Sequence, residues 1–336
     1  MPISTRLTRE YGIRHPLVSA GMGFVSYEGL AAAVSNAGGL GVLGASPDPV
    51  PSLQSMVSRI RDLTDKPWGV GLICAETAFG PASTPEHVAA CVELRVPLVV
   101  FHHDVPPAEW ISRLRSAGIK VWMQVSSVDL AVQAMAAGVD GLIAQGREAG
   151  GHVRAVSSRA ELLSAIRQRF PEALLLGAGG ISTGENVAAT LSQGADGVWV
   201  GTRFVASVEA YANEEYKQRL VRSDGATIVT KVFGPEWPDE SYRVLATPFA
   251  VEADANPPAE FTPGAPIGHT TLFPHSAKLP YDIPRYSNLP PSVDTTGDWD
   301  LMVYPAGTGV GAITSIEPAA RIVDEMMRQA ENLLDP

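Results

Sequence analysis

Apolar residues along this chain gather into short uninterrupted runs near positions 16–20, 40–44, 68–73, 97–101, 120–125, 141–145, 174–178 and 197–201, separated by amphipathic stretches. Runs of this length suit strands, and their lack of alternation predicts burial on both faces, as in a parallel sheet covered by helices. Three joints share one grammar. Residues 31–36 lead through Gly38 into 40–44, residues 131–137 through Gly138 into 142–144, and residues 187–193 through Gly194 into 198–200. A glycine at this place suits the left-handed position that ends a helix. Eight such units predict an α/β chain folded as a (β/α)8 TIM barrel. The competing fold is an open doubly wound sheet with a Gly-x-Gly-x-x-Gly turn after its first strand, which the stretch from Ala20 through Gly21, Met22 and Gly23 to Phe24 does not supply.

From about 225 to 300 the pattern changes, with prolines at Pro257, Pro258, Pro263, Pro266, Pro280, Pro284, Pro290 and Pro291. A bare loop of that length does not suit a compact domain. The expectation is an irregular excursion, packed over the barrel or partly mobile, and the aromatics Phe249, Phe261, Phe273, Tyr281 and Tyr286 favour packing. Residues 318–334 read as a closing amphipathic helix. The expected division is a barrel over 1–224, with the Pro-rich excursion and closing helix over 225–336.

Composition narrows the function. With 336 residues, 45% hydrophobic and 18% charged, the chain can bury one large core, and a net charge of −11 without a basic stripe removes the footprint of a nucleic-acid or anionic-membrane partner. A small-molecule partner is expected, with a homodimer among the assemblies open to the chain. Cys74 and Cys91 have no Cys-x-x-Cys spacing, which fits a reducing compartment and argues against structural zinc. The first residues have no signal-like apolar core and no run reaches spanning length, so a cytoplasmic protein is expected.

The chemistry concentrates after the sixth run. Gln145 and Gly146 end the run, and a loop through Gly150 and Gly151 delivers His152 where a strand leaves the core. Small residues before it leave room for a ligand, so His152 is the expected acid–base residue, with Glu148 either its orienting partner or a solvated loop carboxylate. In a barrel, phosphates favour the loops after strands seven and eight. Here those loops carry Gly179, Gly180 and Ser182, then Gly201 and Thr202. Ser182 with Glu185 reads as a capping box that opens an anion-favouring helix. His102 and His103 follow the fourth run; two adjacent histidines do not easily face one ion from an extended chain, so pocket lining is expected and no metal. Gln124 and Ser126, at the exit of the fifth run, offer hydrogen bonds to a ligand, Ser126 having a turn or cap as its other reading.

Taken together, Gly21–Met22–Gly23, Ala37–Gly38–Gly39, the stretch 144–152, Gly179–Gly180–Ile181 and Gly201–Thr202–Arg203–Phe204 resemble the FMN-dependent nitronate monooxygenases, formerly 2-nitropropane dioxygenases. The likeness runs over 5–210 and resumes at Ala306. It implies FMN with its phosphate on Gly179, Gly180, Gly201 and Thr202, and its ring system near Gly21, Met22, Gln124, Gln145 and Gly151. His152 would face the substrate, with His102, His103 and Tyr304 lining its pocket. The implied reaction is oxidation of an alkyl nitronate or nitroalkane with O2 to a carbonyl compound and nitrite. FMN-dependent enoyl-acyl-carrier-protein reductases share the loop before His152, and certain NADH:quinone reductases share the barrel, so NAD(P)H-dependent reduction is the alternative. Gly69 and Gly71 stand on the third strand where family members often carry asparagine, and Thr308 stands where they carry glutamine. The stretch 233–238 with Arg243 resembles a subgroup whose substrates are hard to infer.

Overall fold

The computed structural model describes residues 3–258 and 264–334. Its centre is eight parallel strands, β1 Leu17–Ser19, β2 Gly41–Gly44, β3 Trp68–Cys74, β4 Leu98–His103, β5 Lys120–Val125, β6 Gly141–Gln145, β7 Leu174–Ala178 and β8 Gly197–Val200. From β2 onward each pairs with the next in sequence, and β8 returns to β1 in register Val18 to Trp199. Closure between β1 and β2 rests on one bridge, where Leu40 N–H donates to Leu17 O and Ser19 N–H to Leu40 O, both at 3.0 Å. The expected barrel is therefore present, with strand positions within a few residues of the apolar runs.

Each strand alternates between two cores. Val18, Val42, Val100, Trp122, Ile143, Leu176 and Trp199 fill the barrel, while Val99, Phe101, Val121, Met123, Leu142 and Leu175 face the surrounding helices. Burying each large side chain contributes about 1.5–3 kcal/mol. The three joint glycines stand at φ 93°, 94° and 91°, the left-handed geometry that turns a helix end into the next strand. Close packing sets other positions: a Cβ on Gly41 would lie 1.9 Å from Ala31 O, so the helix Glu28–Asn36 rests directly on β2.

The closing helix, Ala319–Leu334, buries Ile322, Val323, Met326, Met327 and Ala330 on one stripe. It lies against the helix Gly184–Ser192 so tightly that a Cβ on Gly184 would meet Gln329 Cβ at 2.2 Å.

The excursion differs from the irregular chain expected. It contains the helix Pro248–Ala255 and supplies strands to two three-stranded sheets. Thr227–Thr230 and Tyr242–Leu245 pair with each other, and the second also pairs with Gly151–His152 from the barrel loop. Gly268–Leu272, Leu279–Ile283 and Thr296–Gly297 form the other sheet. Proline interrupts helices but tolerates edge strands and turns, so a proline-rich stretch still folds when it forms short sheets. Phe249 stacks on Tyr286 at 5.4 Å and packs against Phe233, as the aromatic content suggested; Phe261 and Pro263 lie outside the described residues. Among the described residues no helix is long and apolar enough to cross a membrane.

Candidate active site

A cavity of about 650 Å³ opens at the C-terminal ends of the barrel strands, beneath the excursion. Its floor follows from strand periodicity. Two residues beyond Val100, Trp122 and Ile143, the same inward face presents His102, Gln124 and Gln145. Gly21 and Met22 border the floor from the turn after β1, and Gly71 leaves space beside His102, whose Nε2 lies 3.2 Å from where its Cβ would stand.

His102 borders this cavity, and burial lowers its imidazole to about 4, with the neighbouring Gln124 amide working against that shift. Its Nε2 is buried without a hydrogen-bond partner.

His152 forms the opposite wall. Its ring is held between Trp237, at 4.2 Å, and Tyr242, at 4.4 Å. Burial in this stack pulls the imidazole down to about 3, and the nearby His103 pushes the same way. The ring is therefore neutral at physiological pH. Nδ1 is buried without a partner, which leaves Nε2 as the nitrogen open to the cavity. The backbone is fixed as well: Gln145 Nε2 donates to the His152 carbonyl at 3.3 Å, and residues 151–152 are a strand paired to Tyr242 and Arg243. His103 borders the cavity but turns to an acidic edge, with Nε2 3.2 Å from Glu240 and Nδ1 3.3 Å from Asp104.

The loops after β7 and β8 form a cradle. Gly179 and Gly180 stand at φ 107° and 67°, and a Cβ on Gly180 would sit 2.9 Å from Thr308 Oγ1. Only glycine takes this path without strain. Among the described residues no protein acceptor meets the backbone N–H groups of Gly179, Gly180 and Gly201. Gly201 also precedes the short helix Thr202–Val205, and Thr202 Oγ1 accepts from Gly307 N–H at 3.0 Å. Free N–H groups on glycine turns that line the cavity fit a phosphate without needing a lysine. The glycine cradle, the orphaned histidine nitrogen and the two floor amides fit a phosphate-bearing cofactor that makes hydrogen bonds.

Gly21, Met22, Gln124, Gln145, Gly151, His152, Gly179, Gly180, Gly201, Thr202, His102 and His103 thus all line one cavity. Three expectations are corrected. Tyr304 is 1% exposed and does not line it; its hydroxyl donates to Trp299 O and its ring packs on Tyr216 in the core. Glu148 neither orients His152 nor stands in solvent; its carboxylate accepts from Arg159 N–H at 2.9 Å, while the Arg159 guanidinium donates to Gly179 O. This brace ties the His152 loop to the glycine cradle. The capping box after β7 is Thr183 with Asn186, one residue beyond Ser182 and Glu185, because Ser182 N–H itself donates to Asn186 Oδ1. Similarly, Ser127 caps the helix after β5, and Ser126 lines the cavity.

Sequence reasoning did not place Trp237, Tyr242 or Glu236 at the site. Glu236 is buried at the cavity edge, accepting from Ser287 Oγ, Asn288 N–H and Tyr281 Oη. The signal available was the run 233–238 followed by a strand-like segment at 242–245, but its partner strand is two residues long and lies ninety positions earlier.

A family model described as nitronate monooxygenase matches residues 4–329. A nitronate monooxygenase of Paraburkholderia phytofirmans is 28% identical, with 96% of this chain and 94% of that protein covered. FabK from Thermotoga maritima superposes with a TM-score of 0.79 at 30% identity, covering 99% of this chain and 98% of that one. A nitroalkane oxidase from Streptomyces ansochromogenes does so with a TM-score of 0.78 at 27% identity, covering 97% and 98%.

Proposed function

The chain belongs to the nitronate monooxygenase family and is a flavin-dependent oxidoreductase, and we propose that it holds FMN in the barrel-mouth cavity and oxidises an alkyl nitronate or nitroalkane with O2 to a carbonyl compound and nitrite. The observation that carries this reading is His152, an imidazole fixed by two rings and open to the cavity through one nitrogen. The family model and the likeness to a nitroalkane oxidase support it.

The residues divide the work. Backbone N–H groups of Gly179, Gly180 and Gly201 would hold the phosphate of FMN, and Gln124 and Gln145 would hydrogen-bond its ring system. When bound, FMN would supply the redox chemistry. With the proton on Nδ1, His152 Nε2 presents a lone pair to a nitroalkane's α-carbon proton. For a substrate that arrives already as the nitronate, the same nitrogen, protonated, donates to a nitro oxygen. The apolar enclosure around His152 excludes water from the proton in transit.

A second reading, reduction of an enoyl thioester at the expense of NAD(P)H, draws on the resemblance of the loop before His152 to FMN-dependent enoyl-acyl-carrier-protein reductases. The cation bordering the cavity, Arg154, is already paired with Asp104 at 2.8 Å, which disfavours the phosphates of a pyridine nucleotide there. Anaerobic mixing separates the two. Bleaching of the flavin by an alkyl nitronate alone is expected; bleaching by NADH or NADPH alone, with none by nitronate, would replace the first reading with the second.

A further inference from the structure

The cavity has two unlike halves. One is the glycine cradle and polar floor. The other is roofed by the turn after β1, a small hairpin closed by Glu76–Thr77 and Gly80–Pro81, and the strand pair Gly268–Leu272 and Leu279–Ile283. Phe24, Ile73, Phe79, Leu272, Phe273 and Leu279 border this half. None of them carries charge. The carboxylate of Glu236 accepts from three donors and Arg154 is paired with Asp104, so among the described lining residues no unpaired lysine or arginine waits for an anionic group at the far end of a substrate. At the rim, Phe79 is 72% and Leu279 49% exposed. Large apolar side chains left in water around an apolar cavity mark a surface that a ligand covers.

We propose that the substrate carries an uncharged apolar body beyond its reacting carbon, larger than a short nitroalkane, and that Phe79 and Leu279 select for it by covering its far end. This rests on the preceding reading in placing the reacting carbon at His152. Apolar matter seated against Phe24, Ile73, Leu272 and Phe273 leaves water when it binds, and each buried methylene is worth about 0.8 kcal/mol, a fourfold effect. An anionic or phosphate-bearing body in the same place would lose its hydration without gaining a partner.

The test uses the FMN-loaded full chain and n-alkyl nitronates from ethyl to octyl. kcat/KM is expected to climb about twofold to fourfold per methylene. Phe79→Ser combined with Leu279→Ser should reduce the octyl-to-ethyl ratio by about tenfold, whereas Phe79→Leu, which keeps an apolar cover, should retain most of it. Both sites are exposed, so the variants should fold. A flat series, or a preference for chains ending in a carboxylate, overturns the inference. If no nitronate of any length is oxidised, the proposed reaction fails, and the apolar body is judged by calorimetric titration with acetamide through octanamide. Affinity that rises with length and falls in the double variant sustains it; equal affinity along the series overturns it.

Discussion

Tyr242 and His152 face each other across an antiparallel strand pair with their rings 4.4 Å apart, although ninety residues separate them in the chain. The strand of the excursion therefore sets the backbone of the His152 loop, and its aromatic ring forms one wall of the imidazole's slot. Trp237, from the same excursion, forms the other wall. The candidate base is carried by the barrel and aimed by what lies over it.

Tyr242→Ala should loosen that aim. The expected result is a roughly tenfold or larger loss in kcat/KM with flavin retention little changed, since misplacing a catalytic group costs rate before it costs cofactor. Tyr242→Phe keeps the ring and loses only the hydroxyl's bond to Asn288 O, so it should recover most of the activity. Steady-state kinetics beside the visible flavin spectrum of each variant checks this; equal losses in Phe and Ala would move the role from the ring to the hydroxyl.

Replacing His152 by alanine should leave FMN bound and reduce turnover of neutral nitroalkanes by about 10²–10⁴-fold, the usual worth of a positioned general base. Nitronates, already deprotonated, should lose much less. The measurement is kcat/KM on a nitroalkane and on its nitronate, and parallel losses on both would show that His152 does not remove the carbon proton.

The low pKa values of His152 and His102, about 3 and about 4 against an ordinary 6.5, have a signature in stability. Above pH 6.5 both states of the chain hold these rings neutral, and neither ring penalises folding. As pH falls below 6.5 the unfolded chain takes up protons that the folded chain refuses, so stability declines through the window down to about 3. Thermal unfolding followed from pH 7.5 to 4.5 should show Tm falling with acid, by a few degrees per pH unit. His152→Gln with His102→Gln should flatten that slope, and an unaltered slope would show that neither histidine resists protonation. Because the neutral form persists, the acid limb of kcat/KM should not contain a histidine-like step near 6.5.

Gly180→Asp places a side chain within 2.9 Å of Thr308 Oγ1 and a negative charge in the cradle, at a backbone φ of 67°. FMN affinity should fall tenfold or more, read as flavin released on dilution and ultrafiltration. Undiminished retention would locate the phosphate elsewhere. Gly80→Asp lies on the roof hairpin at a φ of 98°, so it carries the same backbone strain although its Cβ meets nothing within 4 Å; it should leave flavin retention intact, which separates that strain from a charge in the cradle.

The barrel was legible because its signals are local: apolar runs of strand length, and the joint glycines Gly38, Gly138 and Gly194, each forced left-handed by the helix ending before it. The glycine cradle was legible for the same reason, since the position of a loop after β7 or β8 fixes its place at the barrel mouth. Even there, one residue mattered. Sequence spacing allows a capping box at either Ser182 or Thr183, and the direction in which Ser182 N–H points, toward Asn186, decides it. Tyr304 illustrates the harder case: the family resemblance implies a place in the pocket wall, but its ring packs on Tyr216 while Trp237 and Tyr242 take the wall. By itself, then, the sequence determined the barrel, the cradle and the presence of His152 at a strand exit, all consequences of short-range periodicity and backbone geometry. What closes over the barrel, which rings grip the imidazole and where Glu148 turns depended on pairings between segments that include ones ninety or more positions apart; these are fixed by packing and hydrogen-bond satisfaction in three dimensions, and no local pattern encodes them.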